Sequence, residues 1–143
     1  LVLIGSQGTG KTHLMSAIGQ RLAKHNIDTR YELTASMLDN MRQTITTPNT
    51  SIEEMMRFYQ TYKVLMLDDI GMEKPTEWVI DRLQIMIDNR TVTGLGSLVV
   101  ATNLNQEDLA SRLGARIGSR LWDKTSDRVM RVILRASDYR LNG

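Results

Sequence analysis

Gly5-Ser6-Gln7-Gly8-Thr9-Gly10-Lys11-Thr12 fills the pattern G-x-x-x-x-G-K-[ST] at every fixed place. The apolar run Leu1-Val2-Leu3-Ile4 before it reads as a buried strand, and Leu14, Ala17, Ile18 and Leu22 after it recur at helical spacing. Strand, loop and helix thus stand in the order that a phosphate-binding loop requires. The glycines let the backbone turn its N–H groups inward, so Gly5, Ser6, Gln7, Gly8, Thr9 and Gly10 form the expected cradle of a nucleoside triphosphate. Lys11 is expected to reach the β and γ oxygens and the Thr12 hydroxyl to ligate Mg²⁺, with His13 beside them in the nucleotide-binding set. A glycine-rich turn arising by chance would not bring both flanks with it.

Working outward, short continuous apolar runs predict further strands at 29–33, 64–67, 98–101 and 129–134. Helical patterns lie between them. Met37, Leu38, Met41 and Ile45 form one; a second covers 51–59 and opens with the capping arrangement Ser51-x-x-Glu54; a third carries Trp78, Val79, Leu83 and Ile87 after Pro75. Alternating strand and helix predicts an α/β fold of three layers, a parallel sheet flanked by helices, with ligands beyond the carboxyl ends of the strands. The glycine loop, Asp68 and Asn103 each fall at such an end. There is no internal repeat, and the one candidate flexible link is 46–50, which contains Pro48.

The 143 residues suit one domain over 1–143, and a net charge of +2 calls by itself for neither a nucleic-acid tail nor a membrane surface. Without cysteine, no disulfide or thiolate site can form in this chain. No apolar run approaches the roughly 20 residues that span a bilayer, and a cytoplasmic protein is expected. The sequence opens on its first core strand without Met, and an additional N-terminal partner-binding module is expected to precede it. His13 and His25 lack companions at ligand spacing and suggest no metal site of their own.

After the 64–67 strand come Asp68 and Asp69, a greasy strand delivering acids to the sheet edge. Asp68 is expected to hold Mg²⁺ and Asp69 to orient or polarise an attacking water; alternatively Asp69 caps the turn through Ile70-Gly71. Val99-Val100-Ala101-Thr102-Asn103 ends another strand in a polar pair. Asn103 either positions the water or caps the next helix, a cap for which Asn105, with Asp108 three residues on, is the better candidate.

The glycine loop, Asp68-Asp69 followed by Ile70-Gly71, Thr102-Asn103, Arg116-Ile117-Gly118-Ser119-Arg120 and the ending Ser137-Asp138-Tyr139-Arg140 together resemble the AAA+ ATPases of the initiator clade. Within it the sequence is most similar to the DnaC/DnaI helicase loaders and the IstB transposition helpers. The resemblance implies ATP and Mg²⁺ as cofactors, Lys11, Asp69, Asn103 and Arg120 as catalytic groups, and Thr12 with Asp68 at the metal. Asn103 would be the sensor residue, and Arg120 the arginine finger that reaches a neighbouring subunit's site and makes hydrolysis depend on self-association. A guanidinium fork suits that task, while the competing reading makes Arg112, Arg116 and Arg120 one solvated helix face. Arg140 would sense the γ-phosphate. The resemblance further implies a loader of the replicative hexameric helicase, with the IstB-like helper as alternative. It places a groove for single-stranded DNA at 34–63, where Arg42, Arg57, Lys63, Phe58, Tyr59 and Tyr62 are candidates and core packing is the competing account. Asp69 stands where many AAA+ proteins carry Glu, consistent with slow turnover, and the short ending matches loaders that lack a full lid. A rival of another class is a small phosphotransferase with the same glycine loop, which would need an acceptor pocket and a lid bearing arginines.

Overall fold

The computed structural model describes residues 1–123, 125 and 129–135. Five strands, β1 (Val2–Ile4), β2 (Thr29–Leu33), β3 (Val64–Asp68), β4 (Ser97–Thr102) and β5 (Arg131–Ile133), lie in the order β2-β3-β4-β1-β5. Every pairing is parallel. The helices are α1 (Lys11–Lys24), α2 (Thr34–Gln43), α3 (Ile52–Thr61), α4 (Glu77–Thr91), α5 (Gln106–Leu113) and α6 (Ala115–Leu121). Parallel strands need crossovers, and these helices supply them, giving the three layers that the alternating pattern predicts.

Side-chain alternation along β3 divides the core in two. Val64 and Met66 join Leu3, Val99, Ala101 and Met15 beneath α1. Leu65 and Leu67 join a larger cluster on the opposite face, with Met37 and Met41 of α2, Leu83 and Ile87 of α4, and Leu109 of α5. All five residues of β3 are buried, which is why its sequence is continuously apolar up to Asp68.

Local signals place the helix starts. Ser51 and Glu54 exchange hydrogen bonds of 3.1 and 3.0 Å in a capping box, worth about 1 kcal/mol, and the Asn105 side chain accepts from the Asp108 N–H at 2.8 Å. Three expectations shift. α2 stops at Gln43, leaving Ile45 63% exposed rather than on its apolar face. The last strand is confined to Arg131–Ile133. The segment carrying three arginines at spacing four is two helices, broken where Gly114 adopts φ +94°. Arg128 and the ending 137–140, Arg140 included, lie outside the described residues.

Candidate functional site

β1 ends at Ile4, and the glycine loop carries the chain into α1 through left-handed Gly8 (φ +75°) and Gly10 (φ +88°). A side chain at Gly5 would meet Thr9 Oγ1 at 2.7 Å and the Leu134 carbonyl at 2.8 Å, so the loop's first position is closed to anything larger. Thr9 Oγ1 donates to the Ser6 carbonyl at 2.8 Å and braces the loop from within. Among the described residues no side chain caps α1, and its first turn holds no acid. Its leading N–H groups and positive dipole end thus face the loop's concavity, the setting in which a phosphate is best received.

Lys11 is buried, and its Nζ donates to the carbonyls of Gly5 and Ser6 at 2.7 Å each. Gln7, Gly8, Gly10, Lys11, Thr12 and His13 line one side of a cavity of about 380 Å³; Asp69 and Asn103 line the other. A larger space of about 730 Å³ opens between α1 and β2, lined by apolar Met15, Ala23 and Ile27 and by neutral polar Ser16, Gln20 and Thr29, but beyond Thr12 it holds none of the glycine loop and no cationic side chain to meet a triphosphate. The smaller cavity is therefore the candidate site.

Thr12 Oγ1 donates to Asp68 Oδ2 at 2.7 Å, joining the start of α1 to the tip of β3. The Tyr31 hydroxyl donates to the same oxygen at 2.8 Å, the Asp69 N–H donates to Asp68 Oδ1 at 2.9 Å, and the Thr34 hydroxyl donates to the Asp68 carbonyl at 2.8 Å. A hydroxyl and a carboxylate in contact are the hard oxygen donors that Mg²⁺ accepts alongside phosphates and water, so these residues fit the cation. Among the described residues there is no cluster of three or more His, Cys, Asp or Glu that would suit another metal. Burial and the neighbouring Asp68 push the Tyr31 hydroxyl well above its ordinary range, and it stays a donor.

Asp69 takes a left-handed backbone (φ +55°) and lies 3.5 Å from Asn103 Nδ2. Asn103 Oδ1 is buried and has no hydrogen-bond partner among the described residues, an acceptor suited to a water or hydroxyl. The turn through Ile70-Gly71 is capped not by Asp69 but by Glu73, whose two carboxylate oxygens accept the Gly71 N–H at 3.1 Å. Thr102 then pins this turn to β4, donating to the Ile70 carbonyl at 2.9 Å. Tyr31, Thr34 and Glu73 are supports that sequence reasoning missed, since only strand register and turn closure bring them to the acids.

Arg120 lies apart from this cavity. Its Nε is 3.0 Å from Asp88 Oδ1, and Arg116 is 2.7 Å from Asp88 Oδ2, so one α4 carboxylate holds both guanidinium groups of α6. Arg112 instead donates to the Glu73 carbonyl at 3.2 Å, so the three arginines share no helix face. Of the aromatics expected at a nucleic-acid groove, Tyr59 is fully buried, with its hydroxyl pushed up to about 12 chiefly by that burial, and cannot stack on a base. Phe58 remains exposed beneath the Arg30 guanidinium, 5.6 Å from its ring centre. Arg42 lies 5.0 Å above the Trp78 ring and 3.5 Å from Asp39.

A family model described as IstB-like ATP binding protein matches residues 1–142. The replicative helicase loader DnaC of Buchnera aphidicola subsp. Acyrthosiphon pisum is 30% identical over 128 residues, 85% of this chain and 52% of that protein. The replicative helicase loader DnaI of Bacillus subtilis is 25% identical over 144 residues, all of this chain and 46% of that protein. The chain thus spans about half the length of the curated relatives it matches. Among solved structures, AMPPCP-bound DnaA from Aquifex aeolicus aligns with a TM-score of 0.82 at 20% identity, over 96% of this chain and 40% of that one. A crystal structure of the DnaC helicase loader aligns at 0.80 with 24% identity, over 94% of this chain and 77% of that one. At such identities the structural likeness carries the fold.

Proposed function

The chain belongs to the IstB-like ATP-binding protein family, with the AAA+ fold of DnaA and DnaC, and from that premise we propose that it is an ATPase whose nucleotide state governs assembly on DNA. The observation that carries this reading is the contact between Thr12 and Asp68 at the uncapped start of α1, across the cavity from Asp69 and Asn103. Mg²⁺, when bound with ATP, neutralises charge on the β and γ phosphates. Thr12 and Asp68 are the residues to hold it. Lys11 exchanges its loop carbonyls for phosphate oxygens. Asp69 accepts a hydrogen bond from the attacking water, whose position Asn103 fixes; the water oxygen bonds to the γ-phosphorus as the bond to the bridging oxygen breaks, the water's proton passes by way of Asp69 to the released phosphate, and ADP and phosphate leave.

Arg120 acts on the site of a second copy. Lying outside its own chain's cavity, it is 40% exposed on the side chain and oriented by Asp88, as a group offered outward would be. The partners we propose are the replicative hexameric helicase and single-stranded DNA, the latter along α2 and α3, where Arg57, Phe58 and Lys63 remain exposed. The loader reading is favoured by the DnaC and DnaI likeness, the transposition-helper reading by the family model. Family membership also favours both over the phosphotransferase.

The test is complementation. Lys11→Ala and Arg120→Ala should each hydrolyse ATP at under about a tenth of the wild-type rate, a loss consistent with removing one charge-stabilising group. Mixed, they should recover a substantial fraction, because some interfaces then join an intact cradle to an intact finger. A mixture no faster than its components sinks the shared-site reading. Stimulation by single-stranded DNA with a replicative helicase, rather than with a transposase, separates loader from helper.

A further inference from the structure

We propose that Tyr31 is a positioning residue for Asp68, holding the carboxylate in the one orientation that serves a divalent cation. The inference rests on the reading of Thr12 and Asp68 as the Mg²⁺-holding groups. In the β2–β3 register Tyr31 stands opposite Met66 and Leu33 opposite Asp68, so Tyr31 is one alternation step back from the acid on the sheet face that α1 covers. From there its hydroxyl reaches Asp68 Oδ2 at 2.8 Å, sharing that oxygen with Thr12 at 2.7 Å.

A cation entering the site draws the Thr12 hydroxyl oxygen to itself. Coordination uses a lone pair and leaves the Thr12 O–H donating to Asp68 Oδ2, where Tyr31 is the second donor, while Oδ1 keeps the Asp69 N–H at 2.9 Å. With donors on both oxygens, rotation of the carboxylate about its last bond is restrained, and the lone pair left on Oδ1 is the one open to the metal's coordination sphere. Outer partners of this kind tune metal affinity by orienting the inner ones. Tyr31 is 43% exposed over the residue as a whole, while its hydroxyl end is turned to Asp68 and partly desolvated there. The hydroxyl sits on a ring anchored in a strand, a stiffer mount than a long aliphatic stem.

Tyr31→Phe in the whole chain removes the oxygen and keeps the ring. Binding of a fluorescent ATP analogue is measured across a Mg²⁺ titration and again in EDTA. The variant should need about tenfold more Mg²⁺ for half-maximal tightening, the lower end of what lost outer-shell partners cost, with EDTA affinity within about twofold of wild type. An unchanged Mg²⁺ requirement overturns the proposal, as does an equal loss of affinity in EDTA, which would mark a general structural role. If the wild-type chain itself gains nothing from Mg²⁺, the metal reading of Thr12 and Asp68 has failed and this inference falls with it. A measurement independent of the variant uses wild-type protein with Mn²⁺–ATP. The Tyr31 ring NMR signals should broaden ahead of those of Tyr59 and Tyr62, and simultaneous broadening contradicts the proposal.

Discussion

At the scale of single residues, what was legible depended on whether a role is written in adjacent positions. The phosphate loop, the acid pair and the Asn105 cap are local patterns, and each lies where its spacing implies. Tyr31 and Glu73 were illegible because their partners are met across a strand or a turn. The structure also accounts for Asp rather than Glu at 69. A φ of +55° is a conformation that Asp and Asn adopt far more readily than longer side chains, so backbone geometry favours the shorter acid. Asp69→Asn keeps that preference and removes the charge. It should lower kcat about 100- to 1,000-fold while leaving KM for ATP within about threefold, measured by steady-state phosphate release. Glu73 gives a second prediction. Burial, outweighing its backbone hydrogen bonds, raises its pKa above the ordinary 4.5. The folded state therefore favours the protonated acid, and stability falls as pH rises from about that value through the raised folded value. Glu73→Gln can still accept the Gly71 N–H and has no charge to bury, so the gap between its melting temperatures at pH 5 and pH 8 should be narrower than wild type.

Among the elements, helix starts were readable and helix interruptions were not. Ser51 and Asn105 announce α3 and α5 by chemistry confined to one turn. The break at Gly114 is hidden, because arginines four apart are what a continuous helix would also show. The end of α3 depends on a residue far along the chain. Arg90 of α4 is buried and donates to the carbonyls of Tyr59 at 2.6 Å, Tyr62 at 3.0 Å and Ser97 at 2.9 Å, tying α3 to the beginning of β4. Gly96 makes room for it: at φ +103°, an added Cβ would lie 2.8 Å from an Arg90 nitrogen and 2.7 Å from the Lys63 carbonyl. Arg90→Ala strands three carbonyls and should cost about 2–4 kcal/mol in urea unfolding, with the slope of the transition unchanged.

For the molecule as a whole, nucleotide and fold are linked through the same loop. A ligand that binds only the folded chain stabilises it by about 2.7 kcal/mol at one hundred times its dissociation constant. For a chain of this size that is a rise of roughly 5–10 °C in melting temperature. Differential scanning fluorimetry with Mg²⁺–ATP should register it for wild type, and Lys11→Ala should abolish it. Fold class was the most legible property of all, since alternating strands and helices behind a phosphate loop admit few arrangements. The share of work done by each sheet face was not legible: one helix, α1, covers one side while five, α2 to α6, contribute to the core on the other.

Because all five strands point the same way, the body has a compass. Its southern border, where strands begin near Asp28, Lys63 and Gly96, carries none of the described residues that line the chain's own cradle, and Arg120 stands beside it with Leu1, Gly96 and Ser97. A neighbour landing there is blind to whether the cradle holds a triphosphate, and one that must distinguish the two conditions has to arrive from the north, over the first turn of α1.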